Sequence, residues 1–124
     1  MAEDKFSQFL GIQIIYIEKG KCELKCIVTE TMLNGFHVAH GGITYSLSDS
    51  ALAFASNSFG FKCMSIETSI SHIRKVMLND VLAVKVSEIK RGKSIGVYEV
   101  SIFNQLEEIV SHFKGIVRIS EIRW

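Results

Sequence analysis

Hydrophobic and polar positions alternate through much of both ends of the chain and lose that alternation in the middle. In Lys21 to Thr29, Cys22, Leu24, Cys26 and Val28 alternate with Lys21, Glu23 and Lys25. This is the two-residue period of a strand with one buried and one wet face. Gly11 to Glu18 is rich in β-branched residues and Gly20 follows at a turn position, so the two segments predict a hairpin. The same grammar returns in Met64 to Ile73, Val81 to Lys90, Ser94 to Asn104 and Glu108 to Ile119, the last three joined by short polar turns. Gly42 to Ser58 behaves differently: Ile43, Tyr45, Leu47, Leu52, Phe54 and several alanines fall on every side of a helical projection. Such a pattern predicts a helix buried all round. Its Ser46, Ser50, Ala51, Ala53, Ala55 and Ser56 let neighbouring backbones come close. One long helix with about six mainly antiparallel strands predicts an α+β fold, a sheet curled around a central helix. A long exposed sheet edge would favour pairing with another subunit.

Length and charge narrow the function classes. At 124 residues the chain fits one domain spanning 1–124 with a real core and leaves no room for a second. No repeat, linker or low-complexity run divides it, and proline is absent. A net charge of +1 gives no general attraction to nucleic acid. Met1 to Gln8 mixes acidic and basic residues without an apolar leader segment, and no apolar run is long enough to span a bilayer. A cytoplasmic protein without a membrane partner is therefore expected. Cys22, Cys26 and Cys63 are odd in number and are expected to be buried free thiols. Histidines and cysteines show no tight ligand spacing, so no metal site is expected.

The stretch Asn34-Gly-Phe-His-Val-Ala-His40-Gly41-Gly42, followed by Asp49 inside the apolar helix, concentrates the chemistry. A carboxylate there must be hydrogen-bonded, protonated, or open to a cleft shared with substrate, because burying it ionised and alone is expensive. First-turn amides of a helix lack intrahelical acceptors and carry the positive end of its dipole. Glycines at that point let a substrate carbonyl approach the backbone, as acyl transfer requires. A tight loop entering a helix accounts for the same Gly-Gly pair. Gly42 and Asp49 are seven residues apart, about 10 Å along one helix, a span that one chain could bridge only through an extended water arrangement.

This spacing resembles the PaaI-like branch of the hotdog thioesterases, which pairs an Asn, a His-Gly-Gly six residues later and an Asp nine residues after that His. The resemblance continues through Ser48 to Asn57, then Arg74, Asp80, Arg91-Gly92-Lys93, Gly96 to Val100 and Asn104-Gln105. It implies a hotdog fold and an acyl-CoA thioesterase in which Asp49 activates water or attacks the carbonyl, while the Gly41 amide and the Asn34 side chain polarise it. Ser65 matches a position that helps orient the water, and His40 is read as a loop organiser. Gly42, Arg91, Gly92 and Lys93 are the implied contacts to substrate and coenzyme A, with Lys90 at the same turn, and Lys62, Arg74 and Lys75 are weaker candidates. Coenzyme A enters as part of the substrate and no cofactor is implied. The family pattern places the Asp of one chain beside the Asn and Gly of another, in homodimers that pair into tetramers. An aromatic acyl group such as phenylacetyl is the first expectation, with short or medium aliphatic chains next. Phe36, Tyr45, Phe59 and Phe61 are candidate walls.

The chain departs from this pattern at His37 and Lys75, where glycine and proline are common, and at Asn79-Asp80, which replaces Gly-Asp. Asn tolerates positive φ, so Asn79 suits a turn. His37 precedes the oxyanion glycines and bears on the pocket or on Asn34. Two rivals stand beside the thioesterase: a non-catalytic acyl-CoA binding module using the same cleft, and a dehydratase with a His-centred acid and base.

Overall fold

The computed structural model describes residues 3–124, and the predicted alternation is what its sheet uses. Strands β1 (Gln13–Glu18), β2 (Lys21–Ile27), β3 (Phe61–His72), β4 (Val81–Arg91), β5 (Ile95–Phe103) and β6 (Ile109–Arg123) form one sheet in the order β1-β2-β4-β5-β6-β3. Every neighbouring pair is antiparallel. A short helix α1 (Lys5–Phe9), absent from the sequence reading, precedes the sheet. The long helix α2 (Gly41–Ser56) continues into a 3-10 turn at Asn57–Phe59 and packs against the inner face. This is the expected hotdog arrangement. No helix among the described residues is long and apolar enough to cross a membrane.

The core forms where the inward residues of the strands meet one side of α2. Cys22, Leu24 and Cys26 of β2, Leu82, Val84 and Val86 of β4, Tyr98, Val100 and Ile102 of β5 and Phe113 and Val117 of β6 are buried against Leu47, Ala51, Leu52 and Ala55. Cys22 and Cys26 share the buried face as expected, and all three cysteines are free thiols, Cys63 being only partly buried. Burial pushes the Cys22 thiol up to about 12, which keeps it an unreactive core residue.

The expectation that α2 is buried on all sides requires correction. Tyr45 and Ala53 are exposed and Asp49 is only partly buried, while Thr44, Leu47, Ser48, Ala51, Leu52 and Ala55 are covered. Residues four apart share a helix face, so Tyr45, Asp49 and Ala53 form one open stripe. The sheet wraps only part of the helix circumference, and the uncovered part carries the Asp49 carboxylate between the uncharged Tyr45 and Ala53. Beside it runs the edge strand β3, with Met64 77% and Ile66 58% exposed. An apolar edge strand and an apolar helix stripe on one side of the chain are what a second subunit would cover.

β3 also carries a one-residue irregularity that the alternation did not reveal. Ser65 pairs with Val117 and Glu67 with Ile116, so Ile66 is an extra residue. A bulge of this kind shifts which side chains face inward. Before it, Phe61 and Cys63 are the partly covered positions; after it, Thr68 and Ile70 are. The parity change lets Ser65 share a cavity with Asp49 while His72, at the end of the same strand, meets Thr44.

Candidate active site

The loop before α2 is held by its own polar groups. The Asn34 amide N–H donates to the Val38 carbonyl at 2.8 Å, and the His37 N–H to the Asn34 carbonyl at 3.1 Å. Asn34 Oδ1 accepts from the amides of Phe36 at 2.9 Å and Val38 at 3.4 Å. Its oxygen is therefore committed to the loop. Its Nδ2 protons are the part left for a ligand, because Nδ2 donates to no group among the described residues. His37 takes φ 61° and Asn79 φ 70°, the left-handed region that glycine enters most freely. This explains why glycine is common at both positions in the resembling proteins.

His40 is the N-cap of α2, and its Nδ1 accepts the Gly42 N–H at 3.0 Å. Gly42, expected among the substrate contacts, thus has its amide consumed inside the loop; a methyl group on it would stand 3.2 Å from that same Nδ1. The Gly41 N–H has no partner among the described residues. It remains as the free first-turn donor at the positive end of the helix.

Asp49 lies on the open stripe, two helical turns on. It lines a cavity of about 240 Å³ together with Ser65, Ser56, Cys63 and Met64. No hydrogen bond or ion pair reaches its carboxylate among the described residues. A structural Asp secured by hydrogen bonds is therefore not what the fold contains. Burial, and after it the negative charge of Asp4, push the Asp49 carboxyl above the ordinary carboxylate range. Asp4 is held near by the N-terminal helix: the Ser7 hydroxyl donates to Asp4 Oδ2 at 2.6 Å and lies 2.8 Å from the Ser50 hydroxyl.

A pH prediction follows from that pair. If Asp49 must be ionised to work, the acid limb of kcat/KM lies above the ordinary Asp value of about 3.9. Asp4→Asn keeps the N-cap of α1 while removing the charge, and it moves that limb to lower pH. A limb that stayed in place in the variant, in a full pH–rate profile, would remove Asp4 from the account.

Within one chain the structure joins Asp49 with Ser65 and, separately, Asn34 with the start of α2. It does not join the two sets. Gly41 precedes Asp49 by about 12 Å of helix rise. It lines a different cavity, of about 320 Å³, with Thr44, His72, Arg74 and Lys75. His72 and Thr44 went unnoticed in the sequence, since no local pattern marks a strand-end histidine whose facing is set by a bulge.

The Arg91-Gly92-Lys93 turn departs from its expected role in one respect. Arg91 Nη1 donates to the Ser56 carbonyl at 3.0 Å and the Tyr98 hydroxyl at 2.8 Å, and the guanidinium stacks 3.9 Å from the Phe59 ring centre. Tyr98 in turn donates to Glu88 at 2.7 Å. Arg91 thus ties the C-terminal end of α2 to the sheet, and Lys93 is the turn's unpaired cation among the described residues. Phe59 and Phe61 line the cavity of about 370 Å³ beside this turn and not the one beside Asp49.

Comparison with known proteins agrees with this architecture. Residues 36–110 match the thioesterase superfamily. The chain is 36% identical over 112 residues to the acyl-coenzyme A thioesterase PaaI of Escherichia coli, covering 90% of this chain and 80% of that protein. It superposes on the solved structure of the E. coli PaaI protein from the phenylacetic acid degradation operon with a TM-score of 0.96 at 33% identity, over 98% of this chain and 88% of that one. A Streptococcus mutans protein solved bound to acetyl-CoA is similar at TM-score 0.88 and 26% identity, over 91% of each chain.

Proposed function

Given that this chain belongs to the thioesterase superfamily and is a thioester hydrolase, we propose that it cleaves an acyl-CoA to the free acid and coenzyme A at a site shared by two subunits. The observation that carries the reading is the Asp49 carboxylate, unpartnered on the open helix stripe and beside Ser65. Across the interface the free Gly41 N–H and the Asn34 Nδ2 protons of one subunit face the Asp49 of the other. Donors placed where the oxyanion develops stabilise the tetrahedral transition state, and an ionised carboxylate serves as base or nucleophile toward the carbonyl carbon.

With Asp49 as base, water forms the new C–O bond while giving a proton to the carboxylate. The C–S bond then breaks, and that proton passes to the departing thiolate. Ser65 orients the water, and His40 holds the donor loop by capping α2. Gly92 and Lys93, which line the cavity beside their turn, take the coenzyme A phosphates in this reading, with Lys93 as the point charge that suits them. Water is the only co-reactant needed. An aromatic acyl group, phenylacetyl or hydroxyphenylacetyl in kind, is the first candidate, supported by the operon of the E. coli relative, and short to medium aliphatic chains come second. The exposed β3 edge and helix stripe support a homodimer, pairing further into a tetramer, and a coenzyme A substrate suits a cytoplasmic enzyme.

The test is thiol release from a panel of aryl- and alkyl-acyl-CoA thioesters, run beside calorimetric binding of the same compounds. Turnover concentrated in one acyl class is expected. Binding without thiol release by the folded oligomer, across the panel, would replace this reading with that of a non-catalytic acyl-CoA binding module.

A further inference from the structure

His72, the last residue of β3, places its exposed imidazole against the start of α2. A methyl group on Gly41 would stand 3.3 Å from both Cε1 and Nε2 of that ring, so only a glycine leaves this edge of the imidazole open. The other edge is anchored: Nδ1 lies 3.3 Å from Thr44 Oγ1, and the Thr44 hydroxyl donates to the Gly41 carbonyl at 3.1 Å. A hydroxyl has one proton. With that proton given to Gly41, Thr44 Oγ1 can only accept from the ring, so Nδ1 carries the hydrogen and the neutral imidazole has a bare Nε2. His40 is fixed in the opposite sense, because its Nδ1 accepts from Gly42 and its Nε2 carries the hydrogen. The helix start is thus flanked by one imidazole able to donate and one able to accept.

A second, independent observation marks the same place. Ser111 pairs directly with His72 in the β3–β6 ladder, so the two side chains share a face. The Ser111 hydroxyl is fully buried and has no hydrogen-bond partner among the described residues. Buried hydroxyls are seldom left alone, and this one belongs to the strand position paired with His72.

We propose that His72 is a catalytic residue of this site, its bare Nε2 accepting a hydrogen bond from the attacking water beside the carbonyl held at Gly41. The assignment rests on the shared-site reading above. One hydrogen of the water stays on its oxygen, donated to Nε2 as a hydrogen bond, and leaves with the carboxylic acid. The other passes to the partner subunit's Asp49 as the C–O bond forms, and then to the thiolate as the C–S bond breaks. The ring neither gains nor loses a proton. The ionisable groups around it are Arg74, paired with Glu108 at 3.2 Å, Lys75 on the same cavity wall, and His40 at the helix start. Next along β6, His112 faces Glu99 at 3.8 Å.

The experiment compares His72→Phe, His72→Gln and Asp49→Asn with the wild-type oligomer by kcat, KM and pH profile. The ring is exposed at a strand end, so the His72 variants should melt with the wild type. His72→Phe lowers kcat about 100-fold with little change in KM, the scale of a misplaced reactant, and His72→Gln, which keeps an acceptor, recovers part of the loss. The sharper readout is the split between kcat and KM with rescue by the conservative variant: kcat recovers in His72→Gln while KM stays with the wild type in both. Activity of His72→Phe within about twofold of wild type overturns the assignment; so does a loss carried by KM, or a His72→Gln no more active than His72→Phe. An inactive Asp49→Asn beside fully active His72 variants removes this inference alone. A wild type without turnover removes the thioesterase reading with it.

Discussion

Asp49→Asn should lower kcat for the best acyl-CoA by about 1,000-fold, within the range spanned by lost base catalysis, while the thioester still binds. The substitution keeps size and shape and removes only the charge. It should also raise stability at neutral pH. The folded carboxyl is pushed above its unfolded value, so stability from this group is fully present below the unfolded value and is lost as pH rises through the folded one. Near pH 7 the wild type therefore carries a strained carboxylate that Asn lacks. Reduced activity with raised melting temperature is the expected signature of a group kept for chemistry.

The same variant tests how the site is assembled. Asp49→Asn subunits refolded with an equal amount of Asn34→Ala subunits form mixed dimers in which one site carries both changes and the other carries neither. Random pairing then restores about a quarter of the wild-type sites if the interface is two-fold symmetric. A site contained within one chain would give no recovery at all. The geometry predicts recovery, because Gly41 and Asp49 line separate cavities in the single chain.

Gly115→Val should cost about 3 kcal/mol of stability, the upper end of ordinary overpacking, and lower Tm by roughly 10 °C. Gly115 sits on β6 between Tyr98 of β5 and Thr68 of β3. A Cβ there would come within 2.5 Å of Leu52 Cδ2 and 3.1 Å of Phe113 Cε1. Leu52 is 1% and Phe113 0% exposed, so neither can retreat into solvent. Val is a good strand residue, which leaves packing as the source of the loss. Leu52→Ala in the Gly115→Val background should make the double variant more stable than the summed single losses by at least about 1 kcal/mol. Strict additivity would show that the two residues do not press on each other. Because Leu52 is one helical turn from Asp49, kcat should fall as well.

Several parts of this protein were legible before any fold was known. The alternation of Cys22, Leu24, Cys26 and Val28 predicted a half-buried strand, and those residues line the core. Helix α2 was predicted over Gly42 to Ser58 and runs Gly41–Ser56, because apolar spacing reports on burial wherever a regular element repeats. The Asn34, His-Gly-Gly and Asp49 spacing also pointed to the donor loop and the carboxylate, since a helix start and a buried acid are both local facts. His40 and Gly42 show the limit of that reading: Gly42 was expected to face substrate, whereas its amide is taken up by His40, the residue read as organising the loop.

What the tertiary structure alone decided is where these groups face. A period-two pattern cannot register the extra residue at Ile66, yet that residue sets Ser65 beside Asp49 and His72 against Thr44. Apolar side chains on every side of α2 read as complete burial, although the sheet covers only part of the helix and leaves Tyr45, Asp49 and Ala53 open. Arg91 read as a cation for phosphate until its guanidinium was found tied to Tyr98 across the hairpin and to Ser56 and Phe59, far away in the chain. The elements and the chemical groups they carry follow from the order of residues alone, because local spacing governs both. Pairing register, bulge position and long-range polar contacts decided which groups meet, because each depends on residues brought together only when the sheet closes around the helix.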